Sequence, residues 1–362
     1  MPVLCRPATM FPDHEITLKD TIESARRIHA DHPRLEAALR LIENTGVQTR
    51  RILQPMEDTL RHPGVPARAA LYRNAVKRYL PELVERALAH AELSRDEIHA
   101  VVFVSCTGFT MPSPIVWMIN ELGFSTATGQ LPIAQLGCAA GSGAIGASAQ
   151  YCRAHPDRNA LIVAFELCSL CYQPTETDVG SLLSAGLFGD GFAAAVVRGD
   201  DAPGGGGPDG DGQGGGGHGL RIEGSATETI PHTADWISYE VKETGFHFRL
   251  DSRVRDTMRD VTPGIDAFVA RTGRSVRELD FVVAHAGGPR ILDDLTRYLD
   301  LDPDHHRFSR AALTEHGNTA SVLVFDALAR LFTSETAVAG ARGLVAGFGP
   351  GVSAEFSLGV FV

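Results

Sequence analysis

No stretch of this chain approaches the roughly 18 consecutive apolar residues of a membrane-spanning helix, and its opening, MPVLCRPATMFPDHEITL, lacks the basic start and apolar centre of an export signal. A soluble cytoplasmic protein is expected. Positive charge is in short supply too, with 33 lysines and arginines against 44 aspartates and glutamates and a formal net charge of −11. That balance argues against sequence-independent binding to nucleic acid or to an anionic membrane, both of which need a basic surface. An anionic substrate would need a local basic patch. Cysteine is sparse and scattered, six in 362 residues, which makes no disulfide framework, and a reducing cytosol would keep the thiols free. One C-x-x-C pair, Cys168 and Cys171, has no second ligand pair at metal-finger spacing, and its flanks IVAFEL and YQP do not open a helix as a redox motif does.

Glycine is abundant in one place. PGGGGPDGDGQGGGGHG, residues 203–219, has no side chains to bury and reads as a floppy surface loop. It separates two strand-like runs, FAAAVVRGD and LRIEGSATETI, as an expanded hairpin connection would.

The remainder repeats itself once. SRDEIHAVVFVSCTG from Ser94 aligns with SVRELDFVVAHAGG from Ser275, each starting Ser-x-x-Glu, a capping-box turn ahead of a buried strand. NALIVAFELCS near Ile162 aligns with RGLVAGFGPGVSA near Val345, and QLGCAAGSGAIGA with EHGNTASVLVFDA, which sets Cys138 against Asn318. The three pairs keep one order and nearly one spacing, 180 to 183 residues. Two similar α/β halves are expected, rather than a solenoid of short units. Strands alternate with helical patterns such as LVERALAHA and VFDALARLF, so mostly parallel, doubly covered sheets follow, stacked as an α/β/α/β/α sandwich. Ligands of such folds sit outside the carboxyl ends of strands.

Cys138, His285, Asn318 and the GFGPG loop at 347–351 all fall at such ends. In AQLGCAAGSGA, Cys138 reads as a small buried hydrophobe, as half of a disulfide, or as a nucleophile whose thiolate a helix N-terminus stabilises. An imidazolium at His285 would lower its pKa. Asn318 offers an amide donor that, with His285 Nε2–H, could hold a thioester oxygen as it becomes an enolate or oxyanion. Cys138 directly follows Gly137, so the Gly-x-nucleophile-x-Gly elbow of an α/β-hydrolase is absent.

QLGCAAG, LFGDG, HAGGPRILDDL, GNTAS and GFGPG resemble the type III polyketide synthases, the chalcone synthase-like members of the thiolase superfamily. The resemblance runs from about residue 4 to the end, interrupted by the glycine-rich segment. CTGFTMPS, CSLCYQPT, DWISY and TGFHF are similar to the bacterial tetrahydroxynaphthalene synthases within it. It implies a duplicated thiolase fold, with residues 1–220 as the half carrying the nucleophilic cysteine and 221–362 as the half carrying histidine and asparagine. It also implies a homodimer that needs no cofactor, metal or acyl carrier protein. Cys138 would carry the growing chain while His285 and Asn318 promote decarboxylation of malonyl-CoA, starter as well as extender, toward a pentaketide naphthalene.

The same resemblance makes Phe188 and Phe248 a pair of gating rings between CoA tunnel and cavity. Cys106, Cys168, Cys171 and Tyr239 would line the cavity, Met111 would cross into the partner's cavity, and Ala320 stands where plant enzymes have serine. Tyr239, at a position where plant enzymes have glycine, implies a small starter. For CoA, Arg40 matches a family position, Ala37 and Asn44 depart from it, and Arg50 and Arg51 are substitutes; the loop Gly347, Phe348, Gly349, Pro350 and Gly351 would lie against the pantetheine arm. Alternatives are a type III synthase using a fatty acyl-CoA starter to make pyrones or resorcinols, a ketoacyl-ACP synthase III, and, outside enzymes, an acyl-binding scaffold.

Overall fold

The protein is described by a computed structural model covering residues 1–61, 64–176, 178–202 and 219–362. All but the last residue of the expected glycine-rich loop, 203–219, lies outside the described residues.

Each half is built around a strand that follows a capping-box turn. The Ser94–Glu97 and Ser275–Glu278 boxes are both formed, and they lead into Ile98–Val104 and Phe281–Ala284. Ile98–Val104 pairs in parallel with Gly129–Ile133 and with Asn159–Leu167, and Phe281–Ala284 pairs in parallel with Arg342–Gly349. Thereafter both halves reverse: Asp190–Arg198 runs antiparallel to Asn159–Leu167, and Ser353–Phe361 antiparallel to Arg342–Gly349 and then to Leu220–Thr229. The duplication legible in the sequence is thus repeated in the topology.

Two expectations need correction. The sheet is mixed rather than mostly parallel, because Val179–Leu187, the helix after Asn159–Leu167, packs on the helices Leu18–Ile28 and Leu35–Glu43 instead of crossing the sheet. A chain that does not cross over returns antiparallel. Nor do the runs on either side of the glycine-rich segment form a hairpin. Val3–Leu4 lies between them, antiparallel to Asp190–Arg198 on one side and to Leu220–Thr229 on the other, and so joins the two halves into one ten-stranded sheet.

Side-chain alternation sorts the strands into layers. Val101, Phe103, Val163 and Phe165 meet the outer helices Gly64–Ala91 and Pro114–Leu122, while Val102, Val104, Ile162 and Ala164 face the core that holds the helices Ala140–Ala154 and Leu323–Phe332. Met258–Ala270 packs against Leu220–Thr229 and Ser353–Phe361 and against Pro289–Leu299. The result is the α/β/α/β/α sandwich of the thiolase fold. Its central helix Ala140–Ala154 is almost entirely glycine, alanine and serine where buried, since larger side chains would hold the two halves apart.

Candidate active site

The strand Gly129–Ile133 ends in a short turn, Gly137–Ala139, that carries Cys138 to the head of the helix Ala140–Ala154. Gly137 adopts φ +52°, and a Cβ there would stand 2.5 Å from Pro350 Cδ; one at Gly349 would stand 2.3 Å from the Leu136 carbonyl. The GFGPG loop is therefore seated on the nucleophile's turn, and two of its glycine requirements come from that close approach. Gly347 likewise faces Ala139, Phe348 is buried, and Gly351 faces open space.

Cys138 is a free, half-buried thiol. Burial pushes it up to about 12, the Glu166 carboxylate adds to the rise, and its own backbone N–H opposes it. Burial also drives His285 down to about 4, against the hydrogen bond it donates to Asn318. In the free site burial thus disfavours both charged partners of the thiolate–imidazolium pair expected from the sequence, and the Glu166 carboxylate disfavours the thiolate further.

His285 follows Phe281–Ala284, its N–H bonded to the Ala346 carbonyl at 2.8 Å. Its Nε2 lies 3.1 Å from Asn318 Oδ1, which also accepts the Ala320 N–H at 2.9 Å. A backbone N–H can only donate, so that second bond fixes which end of the amide is oxygen. Nε2 must then carry the imidazole proton, and the Nδ2 protons are what Asn318 has to offer. Ala320, buried with φ +50°, holds an unfavourable backbone conformation beside this amide. The turn Ala320–Val322 packs on the Cys138 turn, so the donors and the thiol share one locality.

Asn318 is anchored across the duplication. Its N–H donates to Leu187 O at 2.9 Å and its carbonyl accepts Gly189 N–H at 3.1 Å, forming a bridge opposite Phe188. The approach needs glycine on both sides: a Cβ at Gly317, at φ +69°, would fall 2.6 Å from Leu187 O, and one at Gly189 2.3 Å from His316 O.

Sequence reasoning missed Glu166. Fully buried at the end of Asn159–Leu167, it accepts Cys106 N–H at 3.0 Å, Thr107 Oγ1–H at 2.7 Å and Ser321 Oγ–H at 2.6 Å. Burial raises its pKa and those hydrogen bonds hold it down. The signal was available, since one acidic residue interrupts the otherwise apolar strand NALIVAFEL.

Cys168, Cys171, Phe188, Tyr239 and Phe248 line one cavity of about 100 Å³, open in part to solvent. Phe188 and Phe248 meet edge to face at 5.5 Å, with Tyr239 5.4 Å from Phe248. Cys106 interacts electrostatically with Cys138, Cys168 and Cys171, and burial holds all four thiols protonated. Met111 stands apart, 84% exposed. Arg40, in the last turn of Leu35–Glu43, is exposed and has no ion pair among the described residues. The two substitutes for a phosphate contact are engaged elsewhere: Arg50 is buried on Phe188 O and Thr21 Oγ1, each at 2.9 Å, and Arg51 pairs with Glu15 at 2.6 Å. Among the described residues no cluster of three His, Cys, Asp or Glu side chains could hold a metal, and no helix is long and apolar enough to cross a membrane.

The chalcone and stilbene synthase family models match over residues 9–202 for the N-terminal domain and 221–359 for the C-terminal domain. The chain belongs to the chalcone and stilbene synthase family, the type III polyketide synthases. These are condensing acyltransferases, and the fold and the site above are seen in that light. The chain is 55% identical over 359 residues, 99% of its length and 92% of the relative's, to the 1,3,6,8-tetrahydroxynaphthalene synthase of Streptomyces coelicolor. The crystal structure of a tetrahydroxynaphthalene synthase from that organism, described as a bacterial type III polyketide synthase, superposes with a TM-score of 0.93 at 54% identity, covering 99% of both chains. The phloroglucinol synthase of Pseudomonas fluorescens is 39% identical over 99% of each chain.

Proposed function

We propose that this type III synthase builds a pentaketide from malonyl-CoA alone, as starter and extender, and cyclises it to 1,3,6,8-tetrahydroxynaphthalene. The full-length identity to tetrahydroxynaphthalene synthases supports the product. The observation that carries the chemistry is the doubly fixed Asn318 amide: His285 Nε2–H and Ala320 N–H both donate to Oδ1, so Asn318 Nδ2–H is the donor left free beside the Cys138 turn, and Nε2–H joins it where a substrate oxygen shares its proton with Oδ1.

In this reading Cys138 attacks the starter thioester and releases CoA. An incoming malonyl thioester loses CO2, the electrons of the broken C–C bond passing to the thioester oxygen as an enolate that the two donors stabilise. The enolate carbon attacks the Cys138-bound acyl carbonyl and expels the thiolate; the lengthened chain then returns to Cys138 for the next round. Decarboxylation needs stabilisation of the carbanion equivalent and no added base, so neutral donors suffice and no metal, flavin or acyl carrier protein enters the scheme. Phe188 and Phe248 gate the cavity, Tyr239 narrows it, and Arg40 meets the nucleotide.

The protein works as a homodimer in this proposal. Phe109 is 62% exposed and Met111 84% exposed beside an apolar groove that includes Val65, Val241 and Phe246, and the nearby edge strand Gly129–Ile133 is itself mostly uncovered.

Mass spectrometry of the products from purified protein and malonyl-CoA, without another starter or carrier protein, tests the reading. The expected result is the naphthalene pentaketide or the quinone it oxidises to in air. No product from malonyl-CoA, with pyrones or resorcinols once a fatty acyl-CoA is added, would overturn the substrate assignment.

A further inference from the structure

The hairpin Ile237–Lys242 and Gly245–Leu250 is a separate two-stranded sheet, paired with Tyr239 opposite Phe248. Two strands alone are marginally stable, so the position of Phe248 depends on what fastens the hairpin to the body. His247, the buried neighbour of Phe248, provides one fastening. Its Nδ1 lies 2.5 Å from Glu176 Oε1, and its Nε2 lies 2.7 Å from Thr244 Oγ1. The other carboxylate oxygen of Glu176 lies 3.2 Å from Ser181 Oγ, whose single proton it shares with Asp178 Oδ2 at 2.5 Å. Ser181 stands in the first turn of Val179–Leu187, the helix that delivers Phe188. Gln173 adds a bond from Nε2 to Phe246 O at 3.2 Å. One carboxylate thus touches both elements that hold the facing rings.

We infer that Glu176 and His247 form a clamp that sets the gap between Phe188 and Phe248, and with it which acyl groups pass to Cys138. Both are positioning residues; neither touches the reacting atoms. The inference rests on the reading of Phe188 and Phe248 as the gate. A charge-assisted bond is short and directional, which suits it to hold a hairpin at one distance from a helix. A displacement on the order of 1 Å at a substrate passage is enough to change relative rates about tenfold or more.

The test compares alkylation of Cys138 by a small reagent, iodoacetamide, and by a bulky one, N-phenylmaleimide, followed by peptide mass mapping so that the other five cysteines are told apart. It requires no turnover, so it stands independently of the substrate assignment. Phe248→Ala should raise the bulky-to-small rate ratio; if it does not, the gate reading falls and the clamp with it. With the gate established, Glu176→Ala and His247→Ala should raise the ratio by about tenfold, whereas Glu176→Gln and His247→Asn, which keep a hydrogen bond in place, should stay within about twofold of the parent. Thr244→Val, a change at a half-exposed turn that leaves the fold intact, should shift the ratio about threefold in the same direction. In parallel, the alanine variants should release a larger share of shortened lactones from malonyl-CoA. An unchanged ratio in folded Glu176→Ala and His247→Ala, or in Thr244→Val should the alanine variants not fold, would overturn the clamp.

Discussion

At Cys138 the helix N-terminus and the residue's own N–H favour a thiolate, whereas burial and Glu166 favour the thiol and prevail in the free site. A raised thiol pKa leaves the reactive form scarce at neutral pH, so alkylation of Cys138 should accelerate about tenfold per pH unit from roughly pH 7 to 10 without levelling off. A plateau near neutrality would show that His285 is charged and pairs with the thiol. Glu166 offers a second handle. Glu166→Gln keeps an acceptor for Cys106 N–H and Thr107 and removes the charge, so the Cys138 thiol should become more acidic and alkylate faster at pH 8 for a stability loss of about 1 kcal/mol. Glu166→Ala strands several buried donors and should lose about 3 kcal/mol or more in a denaturant melt. An alkylation rate in Glu166→Gln equal to that of the parent would show that Glu166 does not act on the thiol. Cys138 and His285 were legible because each sits where an apolar run breaks into small residues, and Asn318 because the repeat sets it against Cys138, although it follows the helix Arg307–His316 and not the strand end expected for it. The protonation states were not, because they depend on burial and on a carboxylate distant in sequence.

Among the elements, the crossing of Asn318 with Leu187 and Gly189 sets the tightest tolerance. Gly317→Ala would force a methyl against the Leu187 carbonyl from a left-handed backbone, so a stability loss of about 2 kcal/mol and a larger fall in kcat than in Tm would suggest are expected. Thermal melts with turnover measurements decide it; a parent-like variant would mean the bridge is not needed. The buried strands and the helices at their ends could be read from periodicity. The antiparallel return of Asp190–Arg198 could not, because a helix pattern is the same whether the helix crosses the sheet or turns aside to roof a cavity. Arg50 shows the same limit: the sequence displays a cation, and only the packed structure shows its guanidinium spent on Phe188 O and Thr21.

For the molecule as a whole, the repeat made the architecture legible because equivalent strands, capping boxes and turns recur with nearly one spacing. The link made by Val3–Leu4 was invisible, since a two-residue strand has no period. The exposed Phe109 and Met111 carry the assembly prediction. Replacing both by glutamate should convert a dimer to monomers in sedimentation and depress turnover, because charge at the centre of an apolar contact is not compensated. A dimer that persists with full activity would place the interface elsewhere.

The bridge between Phe188 and Asn318 ties substrate entry to alignment of the enolate donor. The backbone of Asn318 hydrogen-bonds to Leu187 O and Gly189 N–H on either side of Phe188, so any rocking of Val179–Leu187 that opens the doorway also tugs on the residue that must hold the enolate. Admission and chemistry are therefore geared together: the synthase cannot be tuned for bulkier guests at the doorway alone without detuning its own reaction.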